Sequence, residues 1–359
     1  MTINSTELLS AAESFRRQAV HCENLGSPFT ADLCRVLADH LDDSNPVGAH
    51  VLTWAGNPSH RAEAVPLRLC GGLHALVLLE KDTDLGAHYP PHRDSAPPWP
   101  VIENALINHE AFLLEWMKSP PQTNEVQRSN AIWPTVVLTG NQTGLPIRLL
   151  EIGASAGLNM QMDRFSFDFA GQRSGDQASA VKLSPEWHGS AAPVGEPKIV
   201  SKAGCDINPI DVMNDADVMR LMSYIWAGQP ERHQRTKAAI EIAKSNPVPI
   251  ERMDAISFLE RELAARPDGV CTVIYTTIAW QYLSDDDKRR GTEMIERAGA
   301  AATPENPLAW ISLEGDGSEP GASVWMRLWP NQIDQEMARA DFHGRWIEWV
   351  GLAEQLSPK

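Results

Sequence analysis

The sequence predicts an α/β fold in which a helical N-terminal region precedes a mostly parallel sheet of seven strands. Three observations carry this. Residues 1–140 read as helices separated by proline-rich breaks, and from residue 147 onward β-rich apolar runs alternate with helical segments. Between these regions, RLLEIGASAGLNM at 148–160 reads as a buried strand opening into a glycine-punctuated turn and then a helix. Alternation of this kind requires crossover connections, and so parallel strands covered by helices.

In the N-terminal region, residues 6–42 have amphipathic helical spacing, and 67–80 form a more continuously apolar helix that must be buried. The stretch 89–100, with its repeated prolines, is a rigid connection. A helix over 101–117 follows, and Pro120 and Pro121 end it. Gln122-Thr123-Asn124-Glu125 then leads into an apolar segment containing Arg128, Ile132 and Trp133. The expected division is a helical cap over 1–140 and an α/β domain over 141–359.

Seven strands can be counted in that domain. The first ends at Glu151, the second (198–204) at Cys205-Asp206, and the third (248–252) just before Asp254. The run 270–275 is the most β-rich, 308–313 is the fifth, and the closely spaced 324–329 and 345–350 complete the set. Helices over 215–226, 230–244, 255–265 and 285–298 supply the crossovers. An insertion at about 165–197, with Phe165, Phe167 and Phe169 at alternating positions before Trp187-His188-Gly189, fits a hairpin over the sheet edge. It is either an ordinary surface elaboration with its aromatics packed inward or a substrate lid.

Composition narrows the function classes. Asp and Glu outnumber Lys and Arg by 47 to 31, and a formal charge of −16 without a basic patch disfavours a nucleic-acid partner. A small-molecule substrate is expected instead. The five cysteines lack a C-x-x-C pair, so neither a zinc knuckle nor a disulfide framework is signalled, and they read as reduced core thiols. The first residues lack the basic start and apolar run of a signal peptide, and no segment reaches transmembrane length, so a cytoplasmic location away from membranes is expected.

The glycine turn carries most of the chemistry. Gly153 and Gly157 permit backbone geometry that a β-carbon would hinder, which would let a ligand approach the chain closely. With Glu151 ahead of it, the E-x-G-x-x-x-G spacing resembles the first motif of class I S-adenosylmethionine-dependent methyltransferases. Under that resemblance, the amides of Gly153, Ser155 and Gly157 meet the amino-acid part of the cofactor, and the following helix offers its N-terminal dipole to the carboxylate. Glu151 binds the amino group, Asp206 accepts from the ribose hydroxyls, and Asp254 accepts from the adenine amine. Both aspartates also fit plain helix N-caps. The same letters, Gly153-Ala154-Ser155-Ala156-Gly157, spell the nucleophile elbow of α/β-hydrolases, but the upstream strands and oxyanion-loop glycines of that fold are missing. A turn that merely joins strand to helix is the plainest alternative.

Glu125, Thr276, Thr277, Trp280 and Tyr282 are the candidates for the substrate pocket. Glu125 equally suits a helix start, and Trp280 and Tyr282 equally suit the core. His343 is a possible base, although a single histidine beside Gly344 also suits a structural turn. No triad can be drawn by spacing. Methyl transfer requires none, because the sulfonium is already activated and alignment with a nucleophile supplies much of the rate.

The segments QTNEVQR (122–128), LLEIGASAGLN (149–159), GCDINPID (204–211), WQYL (280–283), PLAWISLE (307–314) and FHGRW (342–346) together resemble an uncharacterised bacterial domain-of-unknown-function family with a class I methyltransferase-like fold. The resemblance spans most of the chain and implies a Rossmann-like sheet with S-adenosylmethionine at its carboxyl edge. In that family the turn after the fourth strand reads His-Ser, whereas this chain has Thr276-Thr277, which removes an ionisable group. The functional expectation is an S-adenosylmethionine-dependent methyltransferase acting on a small molecule. A nonenzymatic S-adenosylmethionine or metabolite-binding protein is the alternative, and a serine hydrolase through Ser155 is the third.

Overall fold

The structure, a computed structural model, describes residues 10–59 and 62–351. Contacts divide the chain into two compact units, Met1–Thr123 with Asn214–Gln234, and Asn124–Met213 with Arg235–Lys359.

Helix α1 (Ala11–Asn24) starts at Ser10, whose hydroxyl accepts the Glu13 amide at 3.2 Å. Gly26, at φ +81°, breaks the chain before Pro28 opens α2 (Pro28–His40). The expected helical segment 6–42 is therefore two helices, and its residues 6–9 lie outside the described residues. After α3 (Pro46–Leu52), α4 (Val65–Leu78) is buried on almost every side. Its two glycines serve close packing. A β-carbon on Gly71 would lie 2.4 Å from the Tyr224 ring, and one on Gly72 2.9 Å from Leu113. Helices α5 (Thr83–Ala87), α6 (Trp99–Asn108) and α7 (Glu110–Met117) follow, so the single helix expected over 101–117 is interrupted at His109. The core of this unit gathers Phe15, Leu33, Leu37, Leu69, Leu73 and Leu76, each worth about 1.5–3 kcal/mol on burial.

The second unit begins its regular structure with α8 (Ser129–Thr143), which ends at Gly144 in the left-handed region. Then come β1 (Ile147–Ile152), β2 (Ser166–Phe169), β3 (Gln172–Gly175), β4 (Lys182–Leu183), β5 (Glu186–Gly189) and β6 (Ile199–Asp206). Helix α9 (Asp215–Ser223) falls in the first unit, and α10 (Pro230–Ser245) crosses the division at residue 234. The chain continues through β7 (Ile250–Arg252), α11 (Ala255–Ala264), β8 (Cys271–Thr277), α12 (Asp285–Ala300), β9 (Leu308–Glu314), β10 (Ala322–Trp329), β11 (Ile333–Ala340) and β12 (Trp346–Trp349).

Among the described residues, nine strands form the main sheet, in the order β5-β12-β11-β10-β9-β8-β1-β6-β7. Strands β7, β6, β1, β8 and β9 run parallel, so their carboxyl ends share one edge. The chain winds outward from β1 to β6 and β7, then returns to the other side of β1 for β8 and β9. Winding therefore reverses between β1 and β8, the position at which open α/β sheets leave a crevice at the carboxyl edge. Strand β8 is buried at every residue, and Leu150, Ile152, Ile274, Phe258 and Leu259 pack together between sheet and helices.

The expected count of seven strands is corrected to nine. Beyond β9 the sheet is an antiparallel meander, β10-β11-β12, with β5 added in parallel at its outer edge. Strand β11 reads IDQEMARA, rich in helix formers and charge, which hides it from an apolar-pattern reading. Its charges are satisfied by neighbours: Asp334 pairs with Arg327, and Arg339 with Asp316 and Glu336. The insertion does form a hairpin, β2-β3, in a separate three-stranded sheet with β4. Its aromatics pack inward, in a chain of ring contacts from Trp133 through Phe167, Phe169 and Trp187 to Trp349. Among the described residues, no helix is long and apolar enough to cross a membrane.

Candidate functional site at the carboxyl edge of the sheet

Adjacency of β1 and β8 brings Glu151 opposite Tyr275. The Tyr275 hydroxyl donates to Glu151 Oε2 at 3.0 Å, and both side chains are fully enclosed. Burial pushes the Glu151 carboxyl up to about 8; the Tyr275 bond pulls it down, nearby Asp206 pushes it up, and Arg128 pulls it down. Desolvation dominates, so Glu151 is largely protonated at neutral pH. Burial likewise raises the Tyr275 hydroxyl well above its ordinary value.

The turn after β1 is held by its own neighbours. Gly153 and Ala154 both donate to the Cys205 carbonyl, at 2.9 and 3.0 Å, and the Gly157 amide donates to Ala154 at 2.7 Å. Asp206 reaches across from the end of β6: one carboxylate oxygen accepts the Ser155 amide at 2.9 Å and the other accepts the Asn208 amide at 2.8 Å. Asn124 Oδ1 accepts the Leu158 amide at 2.9 Å. Three alternate left-handed positions, Gly153 at φ +73°, Ser155 at +54° and Gly157 at +67°, make this tight path possible.

Two local expectations are corrected. The turn does not open into an α-helix. Asn159–Arg164 is a six-residue 3₁₀ helix, too short to supply the dipole expected for a cofactor carboxylate. Nor is the space over Gly153 left open, since a β-carbon there would lie 2.5 Å from the Ala279 β-carbon of the loop after β8. Gly153 thus serves loop-to-loop packing.

Asp206 is no helix cap. Asp254 is one: its side chain accepts the Ser257 amide at 2.9 Å at the start of α11, and this bond holds its carboxyl below the usual range. It remains exposed at the same sheet edge, after β7. Glu125 is buried, caps the short turn Val126–Arg128 through the Gln127 amide at 3.1 Å, and lies 3.7 Å from Arg235. Thr276 and Thr277 are buried at the end of β8, beside the β1 turn. Trp280 packs edge-on against Trp310 at 5.4 Å, whereas Tyr282 is 68% exposed.

Ser155 Oγ is buried and has no hydrogen-bond partner, and so does Thr276 Oγ1. A serine nucleophile needs a base on its hydroxyl, and among the described residues no histidine hydrogen-bonds Ser155 Oγ. The backbone of Ser155 is left-handed, at φ +54°.

Several residues at this edge were not singled out from the sequence. Arg128 donates to the Thr277 and Phe342 carbonyls, both at 3.1 Å, joining the segment before α8 to the ends of β8 and β11. Glu314, the last residue of β9, accepts the amides of Ala279 and Trp280 at 3.0 and 2.9 Å and orders the loop after β8. Asp341 grips Arg345 through two bonds, at 2.9 and 2.7 Å, and accepts the His343 amide, which makes the 341–345 stretch a structural turn. The available signal was indirect: each of these residues lies in or beside one of the motif segments. Those segments, far apart in the chain, meet along one edge.

A doubly wound α/β sheet with a tight glycine turn at its switch point defines the class of protein. More particularly, the chain belongs to the family described as "Uncharacterized protein conserved in bacteria (DUF2332)", whose match covers residues 12–349. A search of the curated proteins found no match.

Proposed function

We propose that the second unit binds S-adenosylmethionine at the carboxyl edge of β1, β6 and β7 and transfers its methyl group to a small molecule, on a class I methyltransferase-like sheet. One observation carries this reading. Asp206 and Ser155, each assigned to the same cofactor from separate motifs, are joined at 2.9 Å beside the switch point. The parallel strands follow the order 3-2-1-4-5 of dinucleotide-binding sheets.

The residues fit the group on one side of the turn. Asp206 is partly exposed and keeps lone pairs beyond the two amides it holds, so it can accept from ribose hydroxyls; Asp254 keeps the same capacity for an exocyclic amine. The unpartnered Ser155 Oγ is a further donor for the ligand's polar atoms. Glu151 beneath the turn would take up the cofactor's ammonium by giving up its proton. When bound, the cofactor supplies a methyl group already activated by its sulfonium, and the chain's task is to orient the acceptor and exclude water. Thr276 and Thr277 offer no ionisable group for deprotonating that acceptor, which favours a second reading, a nonenzymatic binder of the same ligand.

Asp206→Asn is expected to weaken S-adenosylhomocysteine binding by at least about tenfold, because a charged acceptor is worth roughly 1.5–3 kcal/mol. Calorimetric titration checks this alongside a melting curve. Retained affinity with a lowered melting temperature would mean that Asp206 only fastens the turn.

A further inference from the structure

Beyond β8, a cleft of about 210 Å³ lies between the Trp280 loop and one face of β9 and β10, lined by Trp280, Trp310, Ser312, Glu314, Trp325 and Arg327. Its walls are fixed before any ligand arrives. Trp280 packs so closely on α12 that a β-carbon at Gly291 would lie 2.6 Å from its ring, and it meets Trp310 edge-on at 5.4 Å. Trp325, half-exposed at the mouth, donates its indole N–H to Asp334 at 2.6 Å. The one guanidinium present is already engaged. Arg327 stacks over Trp310 at 5.3 Å while binding Glu296 at 2.6 Å and Asp334 at 3.0 Å. Glu314 adds a third carboxylate, held by the loop amides.

Of the charged groups, only Glu314 and Arg327 line the cleft, and Arg327 is neutralised from behind by Glu296 and Asp334, so three carboxylates surround one guanidinium and the field at this aromatic hollow has a negative balance. Anions are therefore repelled, and a small inorganic cation would find ring faces where it needs oxygen ligands. Ring faces attract a cation whose charge is spread over alkyl groups and which sheds its water easily. We propose that the cleft is a binding site for an alkylated organic ammonium ion, with Trp325 as its outer wall and Trp280 and Trp310 as its inner ones. This site is separate from the cofactor reading. It stands at the same carboxyl edge, two strands from β1, where the end of β9 and the loop after β8 meet.

The test is a titration of the full chain with choline, followed by tryptophan fluorescence and calorimetry, against its neutral carbon isostere 3,3-dimethylbutan-1-ol. No S-adenosylmethionine is present, so failure of this site and failure of the cofactor reading remain distinct. Choline should bind at one site, and the isostere at least about tenfold more weakly, as expected when a desolvated cation–π contact is lost. Trp325→Ala should weaken choline by a similar factor, and Trp325→Phe should restore part of it. Equal affinity for choline and the isostere, no detectable choline binding, or unchanged binding in Trp325→Ala would each overturn the proposal.

Discussion

Gly153→Val should lower the melting temperature by roughly 4–24 °C. Two costs combine. Valine at φ +73° is strained by about 1–3 kcal/mol, and its β-carbon meets the Ala279 β-carbon at 2.5 Å, an overpacking of about another 1–3 kcal/mol. For a unit of this size each kcal/mol corresponds to roughly 2–4 °C. A cycle of Gly153→Ala with Ala279→Gly separates the costs: the double variant should recover the steric part and keep the backbone part. A melting temperature equal to wild type in Gly153→Val would show that the space over the turn is open.

The second large effect is a pH dependence set by Glu151. Its carboxyl ionises near 4.5 in the unfolded chain and at about 8 in the folded one, so between these values the native state binds the extra proton. Stability contributed by this residue is therefore fully present below about pH 4.5, is lost as pH rises toward 8, and is level above that. Integrated over the whole window, the change is on the order of 3–5 kcal/mol. His74 works in the opposite sense. Burial holds its ring at about 4, so its contribution grows as pH rises from about 4 to 6.5. The informative quantity is the difference between wild type and Glu151→Gln in denaturant unfolding, which removes His74 from the comparison. That difference should move against wild type from pH 5 to 8, and a constant difference would mean that Glu151 is ionised throughout.

Much of this architecture was legible in the sequence because buried parallel strands write themselves as apolar runs. β1, β6, β8 and β9 were each found within a few residues, and the acids at the ends of β1 and β6 were recognised by position alone. β11 was not, because its buried residues are only Met337, Ala338 and Ala340, while Asp334, Glu336 and Arg339 are charged and paired with neighbours. The site was legible as a set of residues but not as a set of bonds. Nothing local reveals that Asp206 fastens Ser155 or that Tyr275 meets Glu151, since both follow from which strands lie side by side. The missing helix after the turn has a local cause. The turn is fixed by Asn124 and Cys205, and the chain leaves it through a 3₁₀ segment straight into β2.

The central claim is that the β1 turn and Asp206 form a cofactor site, and calorimetric titration of the wild-type chain with S-adenosylmethionine and S-adenosylhomocysteine tests it most directly. Saturable binding of both at one site per chain is expected, tightening as pH rises toward 8, because Glu151 must release its proton to accept the ligand's ammonium. No saturable heat with either ligand at any pH in that range would contradict the account.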